Sequence, residues 1–306
     1  MKILITGGMG FQGSHLAEYL LDKGHQVTIL NTWSEEAEKN CASFKDKVNL
    51  IFGSTTDKEI VEKTVRGQEM VFHLAARINV DESIKNPLDH ISVNVIGTYN
   101  VLEAVKNNDA KLIHTSSCEV YGGKDTPIVE TDELKPQSPY SASKVAADRL
   151  AYAYYKTYGI KLVIVRPFNV FGERQKEKAG GAVIPIFISK AMKGEPLVVF
   201  GDGKQSRDYM YISDLIRGYG LVLEHLTELD GEVINFGTGQ KTSIKSIAEY
   251  IAGKFGVEVK YGFPRPGEVK QFICNYDKAK RLLGWEPQVT IWEGIDKLIE
   301  WRKALK

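Results

Sequence analysis

A short β-rich segment at residues 2–5, followed at once by glycines, limits most strongly what this chain can fold into. Behind the glycines, apolar residues recur with helical spacing over residues 14–23, and Gly24 lies where a helix commonly ends. Residues 27–30 form a second β-rich segment. The order strand, tight turn, helix and strand is one βαβ unit, which predicts parallel strands.

The glycines have the spacing of a dinucleotide-binding turn. Gly7 permits the tight turn, Gly10 leaves room for a pyrophosphate, and Gly13 lets the helix pack close to the strand. Phe11 and Gln12 lie at the start of the helix, where backbone N–H groups face an anion. The motif alone is weak, but its position inside the first βαβ unit favours dinucleotide binding over a purely structural turn.

The end of the second predicted strand bears on which dinucleotide is bound. An acidic residue about 20 positions after such a turn normally holds the adenosine ribose hydroxyls, and Asn31 stands there instead. Its amide can still hydrogen-bond a hydroxyl, and no Arg or Lys lies between Gln26 and Glu38 to attract a 2′-phosphate. The sequence therefore predicts NAD rather than NADP.

Strand and helix patterns alternate as far as Pro167, which predicts an α/β fold with a doubly wound parallel Rossmann sheet. The further predicted strands are residues 48–52, 70–74, 111–116 and 162–166, and the further helices are 58–65, 91–107 and 142–158. Beyond Pro167, glycine and proline are frequent and the predicted helices are 184–193, 213–224 and 244–255. We predict a first domain of residues 1–168 plus about 208–238, and a smaller C-terminal α/β domain of residues 169–207 and 239–306.

Composition excludes several classes of function. The chain has 306 residues, of which 43% are hydrophobic and 26% charged, and its formal net charge is +1. This balance is ordinary for a globular protein and gives no basic excess for nucleic acid or a membrane surface. No apolar run approaches the ~20 residues of a membrane span, and the three cysteines lack metal-ligand spacing. We expect a cytoplasmic protein with reduced thiols, no metal site, and no nucleic-acid or membrane partner.

A hydroxyl-rich strand end and a Tyr–Lys pair form the candidate catalytic group. Tyr140 and Lys144 lie one helical turn apart, and the ammonium is expected to lower the pKa of the phenol towards neutrality. The spacing Tyr-x-x-x-Lys occurs five times in the chain, so it proves little alone. However, only Tyr140 follows a strand that ends in the hydroxyls of Thr115, Ser116 and Ser117, at the edge where such sheets bind ligands. Such a tyrosine can exchange a proton while a hydride moves.

Segments along nearly the whole chain resemble the extended short-chain dehydrogenase/reductase family, in its group of nucleotide-sugar epimerases and dehydratases. They are TGGMGFQGSHL (6–16), VFHLAA (71–76), NVIGTYNVLEA (94–104), SSCEVYG (116–122), SPYSASK (138–144), RPFNVFGERQ (166–175), GDGKQSRDYMYISD (201–214), INFGTG (234–239) and LGWEP (283–287). The resemblance implies a Rossmann domain with bound NAD, and a small C-terminal domain that holds a nucleotide-diphosphate sugar. It also implies oxidation of that sugar at C4 to a 4-keto intermediate.

The resemblance assigns roles to single residues. Tyr140 is implied to be the base for the C4 hydroxyl, and Lys144 to be its modulator and a ligand of the nicotinamide ribose. Ser117 is implied to be the hydroxyl partner, rather than Ser116, because it lies four residues before Tyr121. The positions that match cofactor contacts are Ala75, Ala76, Asn94 and Pro167. The positions that match sugar-nucleotide contacts, chiefly to the diphosphate, are Asn169, Arg207 and Arg265. A salt bridge to Asp208 or Asp214 is the structural alternative for Arg207.

The triplet Ser117-Cys118-Glu119 bears on the reaction. In 4,6-dehydratases of this group the third position is a glutamate, whose carboxylate can remove the C5 proton of a 4-keto sugar while the C6 hydroxyl leaves. Simple 4-epimerases usually carry small, non-acidic residues at both later positions. Cys118 stands where dehydratases have Asp or Ser, so its thiol is either a proton donor or a small buried residue. The alternative for Glu119 is an ion pair at the surface.

We therefore predict a 4,6-dehydratase with Glu119 as the C5 base, slightly ahead of a nucleotide-sugar 4-epimerase similar to UDP-glucose 4-epimerase. Nucleotide-glucuronate decarboxylases also carry Ser-Glu here, but their equivalent of Arg207-Asp208-Tyr209 tends to lack the aspartate. A dinucleotide-binding protein without activity is disfavoured because both Tyr140 and Lys144 are present.

Family analogy also suggests a homodimer, formed by a four-helix bundle from the helices at residues 91–107 and 142–158. The aromatic residues expected at that interface are Tyr152, Tyr154, Tyr155 and Tyr158.

Overall fold

The elements below come from a computed structural model, which describes residues 1–177, 182–263 and 271–305. The strands are β1 (Lys2–Thr6), β2 (Gln26–Asn31), β3 (Asn49–Phe52), β4 (Met70–His73), β5 (Lys111–Thr115), β6 (Leu162–Pro167), β7 (Asn169–Phe171), β8 (Leu197–Phe200), β9 (Ser206–Arg207), β10 (Tyr209–Tyr211), β11 (Val233–Phe236), β12 (Thr242–Ser243) and β13 (Val259–Gly262). The helices are α1 (Phe11–Asp22), α2 (Glu35–Cys41), α3 (Lys58–Val65), α4 (Val80–Lys85), α5 (Pro87–Ile91), α6 (Gly97–Asn107), α7 (Pro139–Tyr158), α8 (Val183–Ala191), α9 (Ile212–Glu224), α10 (Ile244–Phe255), α11 (Asp277–Leu283) and α12 (Ile291–Ala304).

A seven-stranded parallel sheet forms the centre, with its strands in the order β11-β6-β5-β4-β1-β2-β3. The predicted α/β fold is therefore confirmed. The chain order reverses between β1 and β4, and this switch point opens a crevice at the carboxyl ends of the strands. The glycine turn follows β1 and Ser117 follows β5, so both lie at that edge.

Both faces of the sheet are covered, which explains why its strands are apolar throughout. Ile3 and Ile5 of β1 pack into one core cluster, and Leu4 between them packs into a second cluster on the other face. All six residues of β6 are buried. Within the described ranges, no helix has the length and apolar character needed to cross a membrane.

Helix α7 carries the predicted tyrosine and lysine, and its start is fixed by local sequence. Ser138 accepts a hydrogen bond from the Ser141 N–H in a reciprocal capping box, and Pro139 occupies the first helical position. Gly159 ends the helix with a φ of +67°. These caps place the catalytic candidates in the first turns of a long, well-defined helix.

The prediction of one helix over residues 91–107 is wrong in detail. Helix α5 ends at Ile91, a wider π-helical turn follows at Ser92–Ile96, and α6 begins at Gly97. Four further helices, α2, α4, α11 and α12, were not predicted. All but α12 are short, and Ser34 and Asn79 cap α2 and α4. Short polar helices have little apolar periodicity, so their caps are the main signal.

The C-terminal part carries three small sheets, which pair β10 with β7, β12 with β9, and β13 with β8. Trp285 is fully buried there and donates to the Asp214 carbonyl at 3.0 Å. Strand β11 returns to the central sheet beside β6. The division of the chain into two domains at the stated residues remains a prediction.

Candidate active site

The glycine turn forms a cradle at the carboxyl end of β1. Gly7 has a φ of +75°, which favours glycine. A Cβ on Gly13 would lie 2.2 Å from the Gly7 carbonyl oxygen, so a side chain there would push α1 away from the turn. Helix α1 begins behind Gly10 without a side-chain cap, and the N–H groups of Phe11 and Gln12 point out of its first turn. The cradle therefore fits the pyrophosphate of a dinucleotide.

Asn31 ends β2 beside this turn. Its side-chain oxygen accepts a hydrogen bond from the Met9 N–H at 3.2 Å, and its amide donates to the Thr32 carbonyl at 2.6 Å. An asparagine amide has two donor hydrogens and its oxygen two lone pairs, so each group can make one further bond. A bond from Asn31 to the adenosine ribose stays a prediction.

Asn94 lies in the π-helical turn and ties the loop after β4 to α7. It is 1% exposed, and its oxygen accepts a hydrogen bond from the Arg77 N–H at 2.8 Å. Its amide donates to Ser143 Oγ at 2.9 Å, between the predicted tyrosine and lysine of α7. The loop that it holds carries Ala75 and Ala76 at the switch point. π-helical turns often mark functional sites, but a cofactor contact of these residues, and of Pro167 at the end of β6, stays a prediction.

Tyr140 and Ser117 meet at the carboxyl ends of the central strands. Tyr140 lies in the first turn of α7, and Ser117 lies just beyond β5. The Tyr140 hydroxyl is hydrogen-bonded to Ser117, and Tyr140 is 7% exposed. The structure thus brings together the tyrosine and the serine that the family spacing selects.

Lys144 lies one turn further along α7, but its ammonium is hydrogen-bonded to a backbone carbonyl rather than to Tyr140. Its Nζ donates to the Thr115 carbonyl at 2.7 Å, and burial lowers the pKa of Lys144 to about 8. Burial raises the pKa of Tyr140, against the opposite effect of the Ser117 hydrogen bond, and the nearby Glu119 raises it further. The expectation that Lys144 brings the pKa of Tyr140 towards neutrality is therefore wrong for this structure, because desolvation of the phenol dominates.

Glu119 lies in the 3₁₀ helix Cys118–Tyr121, two residues beyond Ser117. Burial raises the pKa of its carboxyl, and the positive charge of Arg207 has the opposite effect. Among the described residues the carboxylate forms no ion pair, so the alternative of a surface ion pair finds no support there. A carboxyl with a raised pKa beside a buried tyrosine is suited to exchange a proton.

Cys118 precedes Glu119 and faces an apolar cluster. It is 3% exposed and packs with Val120, Phe168 and Cys274. Burial raises the pKa of its thiol well above the ordinary value. Of the two roles considered for Cys118, these surroundings favour the small buried residue.

Arg207 lies on β9, and its partners differ from the structural alternative. Its Nη1 donates to the Ser206 carbonyl at 3.0 Å, and its guanidinium lies 5.5 Å from the centre of the Phe272 ring. Neither proposed carboxylate pairs with it, since Asp208 accepts bonds from Thr238, Gly239 and Cys274, and Asp214 pairs with Arg217. Arginine has five N–H donors in all, which leaves several for phosphate oxygens.

Asn169 lies next to this arginine in the fold, on β7. Its backbone N–H donates to the Asp208 carbonyl at 3.1 Å, and its amide approaches the same oxygen at 3.4 Å. Arg265, the third residue expected to hold the sugar nucleotide, lies outside the described residues.

Asp208 itself is a site residue that sequence reasoning missed. It is fully buried, and one carboxylate oxygen accepts from the Thr238 N–H at 2.7 Å and hydroxyl at 2.6 Å. The other oxygen accepts from the N–H groups of Gly239 at 2.8 Å and Cys274 at 3.0 Å. Asp208 thereby fixes two loops beside Arg207, and no local sequence pattern predicts such long-range partners.

Two buried imidazoles behind the site were also missed. His73 lies between Thr6 Oγ1 at 2.7 Å and Thr98 Oγ1 at 2.9 Å, and burial lowers its pKa to about 3. The ring of His114 lies 5.5 Å from that of His73, and burial lowers its pKa too. Both rings are therefore neutral. Across the described ranges, no group of His, Cys, Asp and Glu is arranged to hold a metal ion.

The comparisons with known proteins point to one family and several reactions. The sequence profile of the family described as GDP-mannose 4,6 dehydratase matches residues 4–298. UDP-glucose 4-epimerase of Mycolicibacterium smegmatis is 34% identical over 98% of this chain and 98% of its own. UDP-N-acetyl-alpha-D-glucosaminuronate decarboxylase of Bacillus cytotoxicus is 32% identical over 100% of this chain and 98% of its own. dTDP-glucose 4,6-dehydratase of an Actinoplanes species is 31% identical over 99% and 98%.

Solved structures agree along the whole chain. Pal from Bacillus thuringiensis has a TM-score of 0.95 and 38% identity, with both chains fully covered. UDP-glucose 4-epimerase of Thermotoga maritima, solved with UDP-glucose, has a TM-score of 0.94 and 33% identity, again with full coverage. A dTDP-glucose 4,6-dehydratase of Streptomyces venezuelae, solved with NAD, has a TM-score of 0.93 and 29% identity over 99% of this chain and 97% of its own.

Proposed function

The chain belongs to the GDP-mannose 4,6-dehydratase family of NAD-dependent nucleotide-sugar enzymes, and we propose that it is a nucleotide-sugar 4,6-dehydratase acting through a 4-keto sugar. The observation that carries the choice of reaction is the carboxyl of Glu119. It lies in the turn that Ser117 begins, its pKa is raised by burial, and it is close enough to Tyr140 to affect the pKa of the phenol.

The cradle of Gly7, Gly10 and Gly13 fits the pyrophosphate of NAD. The residues that we propose for the rest of the cofactor are Asn31, Ala75, Ala76, Asn94, Lys144 and Pro167. NAD held there would supply an acceptor for the C4 hydride and a donor of that hydride to C6, and its positive charge would favour loss of the Tyr140 proton.

Tyr140 takes the proton of the C4 hydroxyl as C4 becomes a ketone, and Ser117 hydrogen-bonds the same oxygen. The ketone acidifies the C5 proton, which the Glu119 carboxylate removes. The proton taken from C5 leaves with the C6 hydroxyl as water. One proton then enters at C5, which balances the proton that Tyr140 took from the C4 hydroxyl. The sugar loses one water in total and gains no electrons.

The substrate that we propose is a nucleotide-diphosphate sugar. Arg207 supports this choice, because it forms no ion pair among the described residues and its guanidinium can bind two phosphate oxygens at once. Asn169 and Arg265 are the other residues that we propose for sugar-nucleotide contacts. UDP-glucose is bound by the Thermotoga maritima relative, which makes UDP sugars the first compounds to test.

Turnover in deuterated water tests the reaction. The protein is incubated with a panel of UDP, dTDP, GDP and CDP sugars, and products are followed by NMR and mass spectrometry. Loss of water with deuterium at C5 is the expected result. Loss of carbon dioxide from a uronic acid sugar would instead identify a decarboxylase and contradict the proposal.

A 4-epimerase is the second candidate, and Cys118 is the observation that favours it. A neutral thiol in an apolar cluster is a poor donor to a departing hydroxyl. Epimerisation needs no such donor and no base at C5. Inversion at C4 without deuterium uptake would establish it and would make the proposed role of Glu119 wrong.

Glu119→Gln then separates the base from a structural role. We expect the variant to keep C4 oxidation, seen as absorbance of reduced nicotinamide, and to lose water elimination by about 10²-fold or more. Glu133→Gln is the matched control, because Glu133 is exposed and, within the described ranges, its ion pair is with Lys135. Equal losses of water elimination in Glu119→Gln and Glu133→Gln would show that Glu119 is not the base for C5.

We also propose a homodimer formed through α6 and α7. Tyr99 on α6 and Tyr158 on α7 are 39% and 54% exposed, and Ile96 before α6 is 48% exposed. Tyr154 is instead buried within the chain, where its hydroxyl donates to Glu103 at 2.6 Å. The proposed interface therefore centres on the exposed residues rather than on every tyrosine of α7.

A further inference from the structure

A buried ion pair lies behind the catalytic candidates and takes no part in the proposed chemistry. Asp148 lies one turn beyond Lys144 on α7, and Arg166 lies on β6. Nε of Arg166 donates to Asp148 Oδ2 at 2.8 Å, and Nη2 donates to Oδ1 at 2.9 Å. The two side chains are 2% and 0% exposed. This pair is bidentate and withdrawn from water.

The third nitrogen of the guanidinium reaches the turn that carries Glu119. Nη1 of Arg166 donates to the Tyr121 hydroxyl at 2.7 Å, and the guanidinium lies 4.9 Å from the centre of the same ring. The Tyr121 hydroxyl donates in turn to Asn235 Oδ1 at 2.8 Å on β11. Tyr121 is the last residue of the 3₁₀ helix that contains Glu119. A continuous set of bonds therefore joins α7, β6 and β11 to that helix.

Stability alone gives a weak reason for such a pair. Removing two charges from water costs free energy that their mutual attraction often only balances. Apolar residues of similar volume commonly stabilise a protein as much as a buried ion pair does. A short 3₁₀ helix has few internal hydrogen bonds, so its orientation depends on outside contacts. Both catalytic elements, the start of α7 and the 3₁₀ helix, are linked through Asp148 and Arg166.

We propose that Asp148 and Arg166 act through Tyr121 as positioning residues, which hold the Ser117–Glu119 segment in register with Tyr140 on α7. The proposal rests on the proposed use of this segment in catalysis. It applies to water loss and to C4 inversion alike, since Ser117 contacts Tyr140 in either case.

Tyr121→Phe is the mildest test, because it removes the hydroxyl and keeps the ring. Tyr250→Phe is the matched control, since its hydroxyl also donates to a side-chain oxygen, that of Asp296, but from α10 in the C-terminal part. We expect Tyr121→Phe to lower kcat about tenfold with KM unchanged within about twofold, because sub-ångström misplacement of reacting groups slows the step without weakening substrate binding. We expect the control to match the wild type.

Arg166→Lys provides the second variant and keeps a charge beside Asp148. A lysine cannot bond Asp148 bidentately and reach Tyr121 at the same time, so the kcat of this variant is expected to fall as in Tyr121→Phe. The double variant is expected to be no slower than the slower single variant, since both changes break one connection. Multiplying losses in the double variant, an unchanged kcat in folded Tyr121→Phe, or a loss confined to KM or to thermal stability would each overturn the proposal.

The wild-type reaction separates this proposal from the function. If the wild type inverts C4 without deuterium at C5, the dehydratase is wrong, and kcat for inversion is then compared among the same variants. If Tyr121→Phe leaves kcat unchanged in the reaction that the wild type performs, the positioning role is overturned and the proposed function is not.

Discussion

Replacing Gly13 by alanine tests the glycine cradle by the smallest possible addition. A Cβ at Gly13 would lie 2.2 Å from the Gly7 carbonyl oxygen and 2.7 Å from the Gly8 Cα, both backbone atoms that cannot rotate away. Real Cβ atoms essentially never come closer than 3.0 Å, so α1 and the turn must separate by about 0.8 Å. Since a displacement of about 1 Å can lower a rate about 10²-fold, we expect a loss of that order in kcat/KM and at least about a tenfold weaker affinity for NAD.

The affinity of Gly13→Ala for NAD is measured by calorimetry on protein stripped of nucleotide, and kcat/KM with the substrate found in the deuterated-water panel. Gly253→Ala is the control, because Gly253 is exposed on α10 and a Cβ there meets no atom within 4 Å. It is expected to leave both quantities unchanged and to stabilise its helix by about 0.5–1 kcal/mol. An affinity of Gly13→Ala within about twofold of the wild type would refute the inference that α1 must approach the turn this closely.

Three further predictions concern charge, stability and assembly. Burial lowers the pKa of Lys144 to about 8, so its charge is present below that pH and lost above it. We therefore expect kcat/KM to fall above about pH 8. Lys144→Arg keeps its charge, and its kcat/KM is expected not to fall in this range. Asp208→Asn places an amide against four donors, and we expect a loss of about 3 kcal/mol in the free energy of unfolding, measured with urea, against at most about 0.5 kcal/mol for exposed Asp202→Asn. Light scattering is expected to give the mass of a dimer for the wild type and of a monomer for Tyr99→Glu combined with Tyr158→Glu; a monomeric wild type would contradict the proposed interface.

The features that the sequence predicted well are those encoded by neighbouring residues. The glycine turn lies between strand and helix as expected, because turn geometry and helix start are local properties. Tyr140 and Ser117 were also expected to lie near each other, as partners at one substrate oxygen, although they are 23 positions apart in the sequence. Parallel strands bring their carboxyl ends to one edge, so the fold class supplies this long-range contact.

Local patterns gave less information about the electrostatics. The spacing of Tyr140 and Lys144 suggested that the ammonium acts on the phenol, but Lys144 donates to the Thr115 carbonyl and burial raises the pKa of Tyr140. The π-helical turn at Ser92–Ile96 was missed as well, since widening one turn hardly changes the apolar spacing of the helix. The pKa of Tyr140 and the π-helical turn both depend on how closely the surrounding elements pack, and the periodicity of apolar residues carries no information about that packing.

Arg166 shows that one long-range feature was nevertheless present in the sequence. It interrupts a strand, Leu162–Pro167, whose other residues are apolar and whose position in a parallel sheet implies burial on both faces. A charged residue at such a place is almost never buried without a partner, so a carboxylate had to lie nearby. The preceding helix supplies it, because the fully buried Asp148 lies on the α7 turn that follows Lys144. An arginine inside an apolar strand therefore predicts a buried ion pair, and its place next to the catalytic helix explains why that pair can position the site.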